Sequence, residues 1–489
     1  MKSEEGKVKS EERRVKNRFV RLSSLRYDLC RLLLGLTFTL SGFVKAIDPQ
    51  GTQYKIEDYL EAWGLQAYAA DIVTLGASVA LSAVEFWLGA CMLFAIRRRR
   101  TSRLVLAFLA VFTPLTLWLA LTNPISDCGC FGEAVTLTNW QTFWKNVVLL
   151  AAAVVLVRHP MGMTRIISRS NRWIVTNYAA VFIILLEVWS LYDLPLFDFR
   201  PYRIGADIRA GMEVPEGAPL PQFETTFIME KNGHRREFTL DDYPDSTWTF
   251  VDSRTVQTAE GYVPPIHDFS VVRRTDGADI TDSLLAAPGY TFLLVTPYLE
   301  QADDSRLDLI NQVYDYAEDH GYGFFCLTAS SDKAVERWRI MTGAEYEFCT
   351  TDGTTLKTII RSSPGLVLLK GGTVIRKWSH NRLPDEYELS GPLETIESGH
   401  MPERSDMAKT LIVMAWFALP LILLALADRM WAWTKWVRKK RQSNKIYQLF
   451  KQKTNEKENC SRKLEDEHEP SGGCGSGQGT QRDADGRKA

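Results

Sequence analysis

Six apolar segments, each about long enough to cross a lipid bilayer, constrain this chain more than any other feature of its sequence. They lie at residues 28–47, 72–96, 103–122, 140–157, 173–192 and 408–428. A helix needs about 20 mostly apolar residues to cross a hydrocarbon core of about 30 Å. Because lipid offers no partners to free backbone groups, the segments are predicted to be the helices of a multi-pass membrane protein.

Basic residues in the connections predict which side of the membrane each connection faces. Lys and Arg are abundant in four of them, at residues 1–26, 97–103, 158–172 and 429–441. These four are predicted to be cytoplasmic, as are both termini. The connections 48–71 and 123–139 have almost no basic residues, and with the insert 193–407 they are predicted to face outward. We therefore expect a protein of the bacterial inner membrane whose large domain is periplasmic.

The overall charge limits the partners. The chain has 58 Lys and Arg residues against 59 Asp and Glu residues. This balance gives no reason to expect nucleic acid as a partner. The lipid bilayer is the expected environment, and the sequence carries no indication of an oligomeric state.

Two cysteines separated by one glycine, Cys128 and Cys130, occur in the outward connection "SDCGCFG". Gly129 can adopt the dihedral angles that so small a disulfide ring requires. A strained disulfide accepts electrons readily, so the pair is predicted to act as an oxidant or a relay. Two other interpretations stay open: inert or purely structural thiols, and a metal site completed by Cys349 or His380.

Two ionisable residues within the apolar segments are candidates for supporting roles. Glu85 lies near the middle of the second segment, where a charge is costly. It is interpreted as a proton acceptor, as a contact for a quinone-like cofactor, or as an internal hydrogen bond that holds the bundle. Lys45 ends the first segment, where it either stabilises a thiolate or extends to lipid headgroups. The two residues are assigned to different depths, so no contact between them is expected.

The outward insert alternates strand and helix patterns from about residue 262 to 398. The pattern ends in a hairpin whose turn is Gly371 and Gly372, preceded by Pro364. Such strand–helix–strand units resemble thioredoxin-like domains of the TlpA or peroxiredoxin type. The resemblance implies a cis-proline at Pro364.

One segment departs from that family. Residues 296–301, "TPYLEQ", stand where thioredoxin-like oxidoreductases carry their reactive cysteines, and this segment has none. The domain is therefore expected to dock a periplasmic client near Pro364 and not to exchange dithiols itself. Cys326 and Cys349 lie elsewhere in the domain and are interpreted as packed thiols, as a disulfide, or as exchange partners of the membrane pair.

Three stretches of the first four apolar segments stand out: "SGFVKAIDP", "SAVEFWLGACML", and "DCGCFG" followed by "NWQTFWKNVVLL". Over residues 27–157 they resemble the DoxX-like family, in particular its methylamine-utilisation MauE branch. The resemblance implies membrane-linked redox work and, for the MauE branch, disulfide formation in a periplasmic partner.

The predicted fold class is a multi-pass α-helical membrane protein with an α/β thioredoxin-like extracytoplasmic domain. The membrane part begins with a basic leader (1–26), a four-helix membrane domain (27–157) and a loop with the fifth span (158–192). The outward part is a β-rich linker (193–261) and the thioredoxin-like domain (262–398). The sixth span (408–428) and a disordered tail (429–489) follow. Thiol–disulfide electron transfer is the preferred function. A non-enzymatic envelope scaffold and a quinone-linked respiratory subunit are the alternatives.

Overall fold

The computed structural model describes residues 2–125, 128–219, 222–231, 234–238, 248–259, 261–402 and 406–466. Within these ranges, six helices are long and apolar enough to span a membrane, and each contains or closely overlaps a predicted segment. The chain is therefore a multi-pass membrane protein. Its first helices are α1 (Lys2–Ile47), the short α2 (Pro49–Ala62), α3 (Asp71–Leu93), α4 (Arg98–Thr122), α5 (Asn139–Arg158) and α6 (Arg172–Tyr192). The predicted leader is the first part of α1.

Glycines allow α1 and α3 to pack closely. A Cβ atom on Gly42 would collide with the backbone of Phe86, and one on Gly89 would collide with the backbone of Thr39. The two helices run in opposite directions, and the side chains beside these glycines form part of the buried core of the bundle. Such small residues let helix backbones approach each other in membranes, where dispersion contacts replace the hydrophobic effect.

The cysteine pair lies at one end of the bundle, which we call the dithiol end. There α1 and α4 end, α3 and α5 begin, and the strand β1 (Cys130–Glu133) lies beside α1. A capping box closes the start of α5, in which Thr138 and Gln141 each accept a hydrogen bond from the other's backbone N–H. The Ser78 hydroxyl, two turns into α3, donates to the carbonyl of Pro49, which lies just after α1, over 2.7 Å. The first two turns of α3 therefore extend beyond the end of α1.

The linker after α6 contains the expected β structure. It begins with the short helix α7 (Ile208–Met212). A three-stranded antiparallel sheet follows, in the order β3-β2-β4, formed by β2 (Gln222–Lys231), β3 (His234–Phe238) and β4 (Thr249–Ala259). Residues 239–247 lie outside the described part of the chain.

The second sheet belongs to the thioredoxin-like region. Its six strands follow the order β10-β9-β6-β7-β8-β5, with β6, β7 and β8 parallel and the others antiparallel. The strands are β5 (Val272–Arg273), β6 (Tyr290–Val295), β7 (Gly323–Thr328), β8 (Glu347–Thr350), β9 (Gly365–Lys370) and β10 (Thr373–Ser379). The helices are α8 (Thr281–Ala286), α9 (Leu307–Asp319), α10 (Asp332–Thr342) and α11 (Gly353–Ile359). Apolar clusters cover both faces of the sheet, as its buried, nearly continuous apolar strands require.

Two predicted details of this region are confirmed. The peptide bond between Ser363 and Pro364 is cis. Gly371 and Gly372 join β9 to β10 with φ angles of +55° and +77°, in the left-handed region that glycine adopts without strain.

A disulfide between Cys326 and Cys349 is excluded by the strand register. Cys326 pairs with Phe348 across the parallel strands β7 and β8, and Leu327 pairs with Cys349. Because neighbouring residues of a strand point to opposite faces, the two thiols lie on opposite sides of the sheet. Each is fully buried in a different apolar cluster. The interpretation as packed thiols is confirmed, and the disulfide and exchange-partner interpretations are wrong.

The last helix, α12 (Asp406–Asp466), continues well beyond the apolar segment 408–428. The expected disordered tail is therefore helical over residues 429–466, because that stretch is rich in Lys, Gln and Glu, which favour helix. The Gly-rich end, residues 467–489, lies outside the described part of the chain.

Candidate functional site

The two thiols of the pair are in contact. The Sγ atoms of Cys128 and Cys130 lie 2.8 Å apart, and both side chains are half-buried. Gly129 has φ +64°, so the turn uses the left-handed conformation that glycine adopts without strain. Two hydroxyls hold the turn in place: Ser41 of α1 donates to the Cys130 carbonyl over 2.5 Å, and Tyr59 of α2 donates to the Cys128 carbonyl over 3.3 Å.

Lys45 and Glu85 form a buried ion pair, with 2.6 Å between Nζ and Oε2. The expectation that they lie at different depths is wrong. Because α3 begins two turns beyond the end of α1, Glu85 lies less deep than its position in the apolar segment suggests. Lys45 also donates to the Ser41 hydroxyl over 2.8 Å, which connects the ion pair to the backbone of Cys130.

Lys145 is a site residue that the sequence analysis does not identify. It lies on the second turn of α5, and its Nζ stands 4.5 Å from the ring centre of Phe131, next to Cys130. The signal in the sequence is a lysine within an apolar segment, at the seventh residue of the helix that follows the cysteines. Its charge, with that of Lys45, makes the surroundings of Cys130 electropositive.

The two thiols differ in acidity. A hydrogen bond from the Cys128 thiol lowers the pKa of Cys130 to about 6; burial opposes this shift, and the charges of Lys145 and Lys45 add to it. The same hydrogen bond, together with burial, raises the pKa of Cys128. Cys130 is therefore the thiolate at neutral pH, which makes it the better nucleophile and the better leaving group of the pair.

A cavity runs from the cysteines into the bundle. Its polar end holds both cysteines with Lys45, Glu85 and Lys145. Its remaining wall is largely apolar, and includes Phe38, Ile56, Leu81, Phe108, Leu109, Phe112, Leu115 and Leu149. An apolar cleft with a few convergent polar groups is the usual form of a small-molecule site.

The thioredoxin-like region contacts the dithiol end through the loop before Pro364. The Arg361 guanidinium pairs with Asp48 at 3.0 Å and with Glu133 of β1 at 3.4 Å. It also lies 5.2 Å from the ring centre of Tyr54 on α2. Pro364 itself is buried. Arg361, three residues before Pro364, thus contacts the protein's own membrane domain, because it finds there the carboxylates that satisfy its buried charge.

A second buried charge cluster supports this contact. Lys377 of β10 pairs with Asp198 at 2.8 Å, and Arg200 pairs with the same carboxylate at 2.7 Å. Burial lowers the pKa of Lys377 to about 8. Although burial alone would raise it, the pKa of Asp198 lies far below its usual range because both cations are close. The segment after α6 is thereby tied to the sheet.

The residues offered for a metal site are not brought together. Cys349 is enclosed in the core of the sheet, and His380 is hydrogen-bonded to Ser362 at 2.9 Å. Among the described residues, no three His, Cys, Asp or Glu side chains group as metal ligands would. The structure therefore does not support a zinc site that uses Cys349 with the membrane pair.

Comparison with known proteins agrees with the membrane part of this architecture. Residues 23–159 match the family described as Methylamine utilisation protein MauE, and residues 223–260 match a domain of unknown function (DUF8463). The first match spans α1 to α5 and includes the cysteine pair. Together with the paired thiols, it indicates a membrane protein associated with redox chemistry. The wider DoxX-like resemblance stays a prediction.

No curated protein matches the chain. Among solved structures, it is similar to the solution structure of a candidate protein disulfide isomerase from Bacteroides thetaiotaomicron. That similarity has 20% sequence identity and a TM-score of 0.21, and it covers 25% of this chain and 79% of the other.

Proposed function

We propose that this protein is an inner-membrane thiol–disulfide redox protein that works through Cys128 and Cys130. The observation that carries the proposal is the 2.8 Å contact between the two Sγ atoms in a pocket that also holds Lys45 and Lys145. The positive-inside pattern supports an orientation with the dithiol end in the periplasm, where disulfides persist, and both termini in the cytoplasm.

The pair acts as an oxidant in this proposal. A thiolate of a periplasmic client attacks Cys128 of the disulfide, and Cys130 leaves as the thiolate because its pKa is the lower one. The second client thiol then attacks the mixed disulfide, and Cys128 leaves and takes up a proton. The client is oxidised by two electrons, and the pair becomes a dithiol.

The acceptor that restores the disulfide is proposed to be a membrane quinone. The cavity supports this choice, because its apolar wall suits a ring with a lipid tail while its polar end touches both thiols. Two electrons and two protons convert the quinone to a quinol as the dithiol becomes a disulfide.

Thiol trapping tests the proposal. In cells that express the full chain, acid quenching and alkylation are expected to show Cys128 and Cys130 in both redox states, shifting with added oxidant or reductant. The Cys130→Ser variant should accumulate a mixed disulfide with the client on Cys128, whereas Cys128→Ser should not. Cys30→Ser is the control, since Cys30 lies near the start of the spanning part of α1 (Leu25–Ile47), away from the dithiol end. A pair that stays in one redox state under both treatments contradicts the function.

An envelope scaffold is the second candidate. It is favoured by the "TPYLEQ" segment, which has no cysteine, and by the fixed contact of Arg361 with the membrane domain. A scaffold needs no thiols, so Cys128→Ser would complement a deletion strain fully. Failure to complement, with normal protein levels, excludes the scaffold.

A further inference from the structure

A second carboxyl group is buried in the membrane domain, outside the part that matches the MauE family. Glu187 of α6 is 1% exposed. Its Oε1 accepts a hydrogen bond from the Ser82 hydroxyl of α3, and its Oε2 has no hydrogen-bond partner among the described residues. A carboxylate inside a bilayer without a cation is costly, so a group of this kind can hold a proton and usually serves a function.

The charged groups on the helices around Glu187 do not neutralise it. Lys45 of α1 is engaged by Glu85, which leaves no described cation in an ion pair with Glu187. Asp48, the N-cap residue of α2, binds Arg361, and Glu57 of α2 accepts a hydrogen bond from Thr74. On α12, Lys409 makes other contacts.

A stripe of buried polar residues on α3 extends from the surface, past Glu187, to the cavity. Its members, at helical spacing on one face, are Thr74, Ser78, Ser82 and Glu85. Thr74 lies at the outer turn of the dithiol end, where it donates to Glu57 over 2.9 Å. Ser82 bonds Glu187 and also the Ser78 carbonyl at 2.9 Å. One turn further, Glu85 lines the cavity beside the cysteines.

We propose that Glu187 is a proton-relay residue, which resupplies the proton that the ion pair of Lys45 and Glu85 passes to the acceptor in the cavity. The inference rests on the proposed function. As the reduced pair becomes a disulfide, its two sulfurs give two electrons to the quinone and the Cys128 thiol gives one proton, since Cys130 is already a thiolate. The second proton comes from the Lys45 ammonium, because Glu85 is its carboxylate partner and holds no proton. Glu187 then restores that proton by way of Ser82 and Glu85, and water at the stripe's outer end restores Glu187.

The test uses the full chain in phospholipid vesicles with decylubiquinone as the probe. The reduced protein is mixed with the quinone, and quinone absorbance and thiol alkylation are followed across the pH range. Glu187→Gln, which keeps shape but cannot carry a proton as an acid, is expected to slow quinone reduction at least about tenfold and to flatten its pH profile. Glu187→Asp should restore part of the rate, and Glu61→Gln, an exposed carboxyl on α2, should leave both unchanged.

Disulfide exchange with glutathione, run without quinone, separates this inference from the function. Exchange should proceed at the wild-type rate in Glu187→Gln, which also shows that the variant is folded. If wild-type protein does not exchange, the proposed function fails and the relay with it. If wild-type protein reduces quinone and Glu187→Gln matches its rate and pH profile, the relay alone is overturned. Should Glu187→Gln not fold, an unshifted pH profile in Glu187→Asp overturns it equally.

Discussion

At the scale of single residues, the acidity of Cys130 is set by its neighbours on three different elements. Cys128 provides a hydrogen bond from the same turn, Lys145 a charge from α5, and Lys45 a charge from α1. Each of these shifts acts on the thiolate, which is the form that reacts. The contrast between the two cysteines therefore depends on their surroundings, since the thiols are chemically identical.

The alkylation rate of Cys130 is expected to rise with pH to a midpoint near 6, well below that of an ordinary thiol. The sign follows from the lowered pKa: the thiolate is present above that midpoint and is lost as pH falls through it. Cys128→Ala and Lys145→Met should each move the midpoint upward, the first by more. Mass spectrometry of timed alkylation measures this. A midpoint that does not move in Cys128→Ala would contradict the hydrogen bond.

The Lys45 and Glu85 pair is expected to stabilise the bundle only as a pair. Lys45→Met leaves a buried carboxylate without its cation, which is expected to lower the free energy of unfolding by about 3–5 kcal/mol. Adding Glu85→Gln removes the stranded charge and should recover most of that loss. Denaturation in detergent micelles measures the free energy of unfolding of the wild type, Lys45→Met and the double variant. A double variant no more stable than Lys45→Met would show that the two residues are not coupled.

At the scale of elements, the contact between α1 and α3 decides which side chains meet. Gly42 lies against the backbone of Phe86, so Lys45, one turn along α1, comes beside Glu85. A different sliding position of the two helices would leave both charges in apolar surroundings. The glycines therefore position the polar end of the cavity without contributing a functional group to it.

Gly42→Val is expected to destabilise the protein, because its side chain would force α1 away from α3; overpacking costs about 1–3 kcal/mol or more. The matched control is Gly76→Val on α3, where a side chain would meet nothing within 4 Å. Gly42→Val is expected to unfold at a lower temperature than Gly76→Val. Only Gly42→Val is expected to lose the wild-type alkylation rate of Cys130. Equal behaviour of both variants would mean that the close contact is unimportant.

At the scale of the whole molecule, the thioredoxin-like region is joined to the cysteine pair through charge. Arg361 forms ion pairs with two carboxylates. One is Asp48, between α1 and α2, and the other is Glu133 of β1, the strand that also contains Cys130. Burial alone would raise the pKa of Asp48, but the charges of Arg361 and Arg200 outweigh it and lower the pKa. The contact is therefore expected to hold above the carboxyl's ordinary pKa of 3.8 and to weaken as pH falls below it.

Arg361→Gln is expected to loosen this contact by about 1.5–3 kcal/mol, because the half-buried Asp48 loses its charged hydrogen-bond donor and the more exposed Glu133 loses a longer contact. Access to the cysteines should then increase, so a bulky polyethylene-glycol maleimide should label Cys128 and Cys130 faster. Arg337→Gln, an exposed arginine of α10, is the matched control. Unchanged labelling in Arg361→Gln would show that the thioredoxin-like region does not limit access to the pair.

Sequence alone determined most helices and strands of this protein, because they are encoded in local periodicity. The exception is the tail, which was expected to be disordered and is helical over residues 429–466. The lengths of the apolar segments predicted the six spanning helices found among the described residues, and the alternation after residue 262 predicted the sheet. It also predicted the cis bond at Pro364, through a family resemblance.

Only the tertiary structure decided which side chains meet. The ion pair of Lys45 with Glu85, the approach of Lys145 to Cys130, and the separation of Cys326 from Cys349 all depend on how two elements slide past each other. A shift of one helical turn or one strand residue would change each contact while leaving the local pattern the same. That register is set by long-range packing, which a pattern within one segment does not encode.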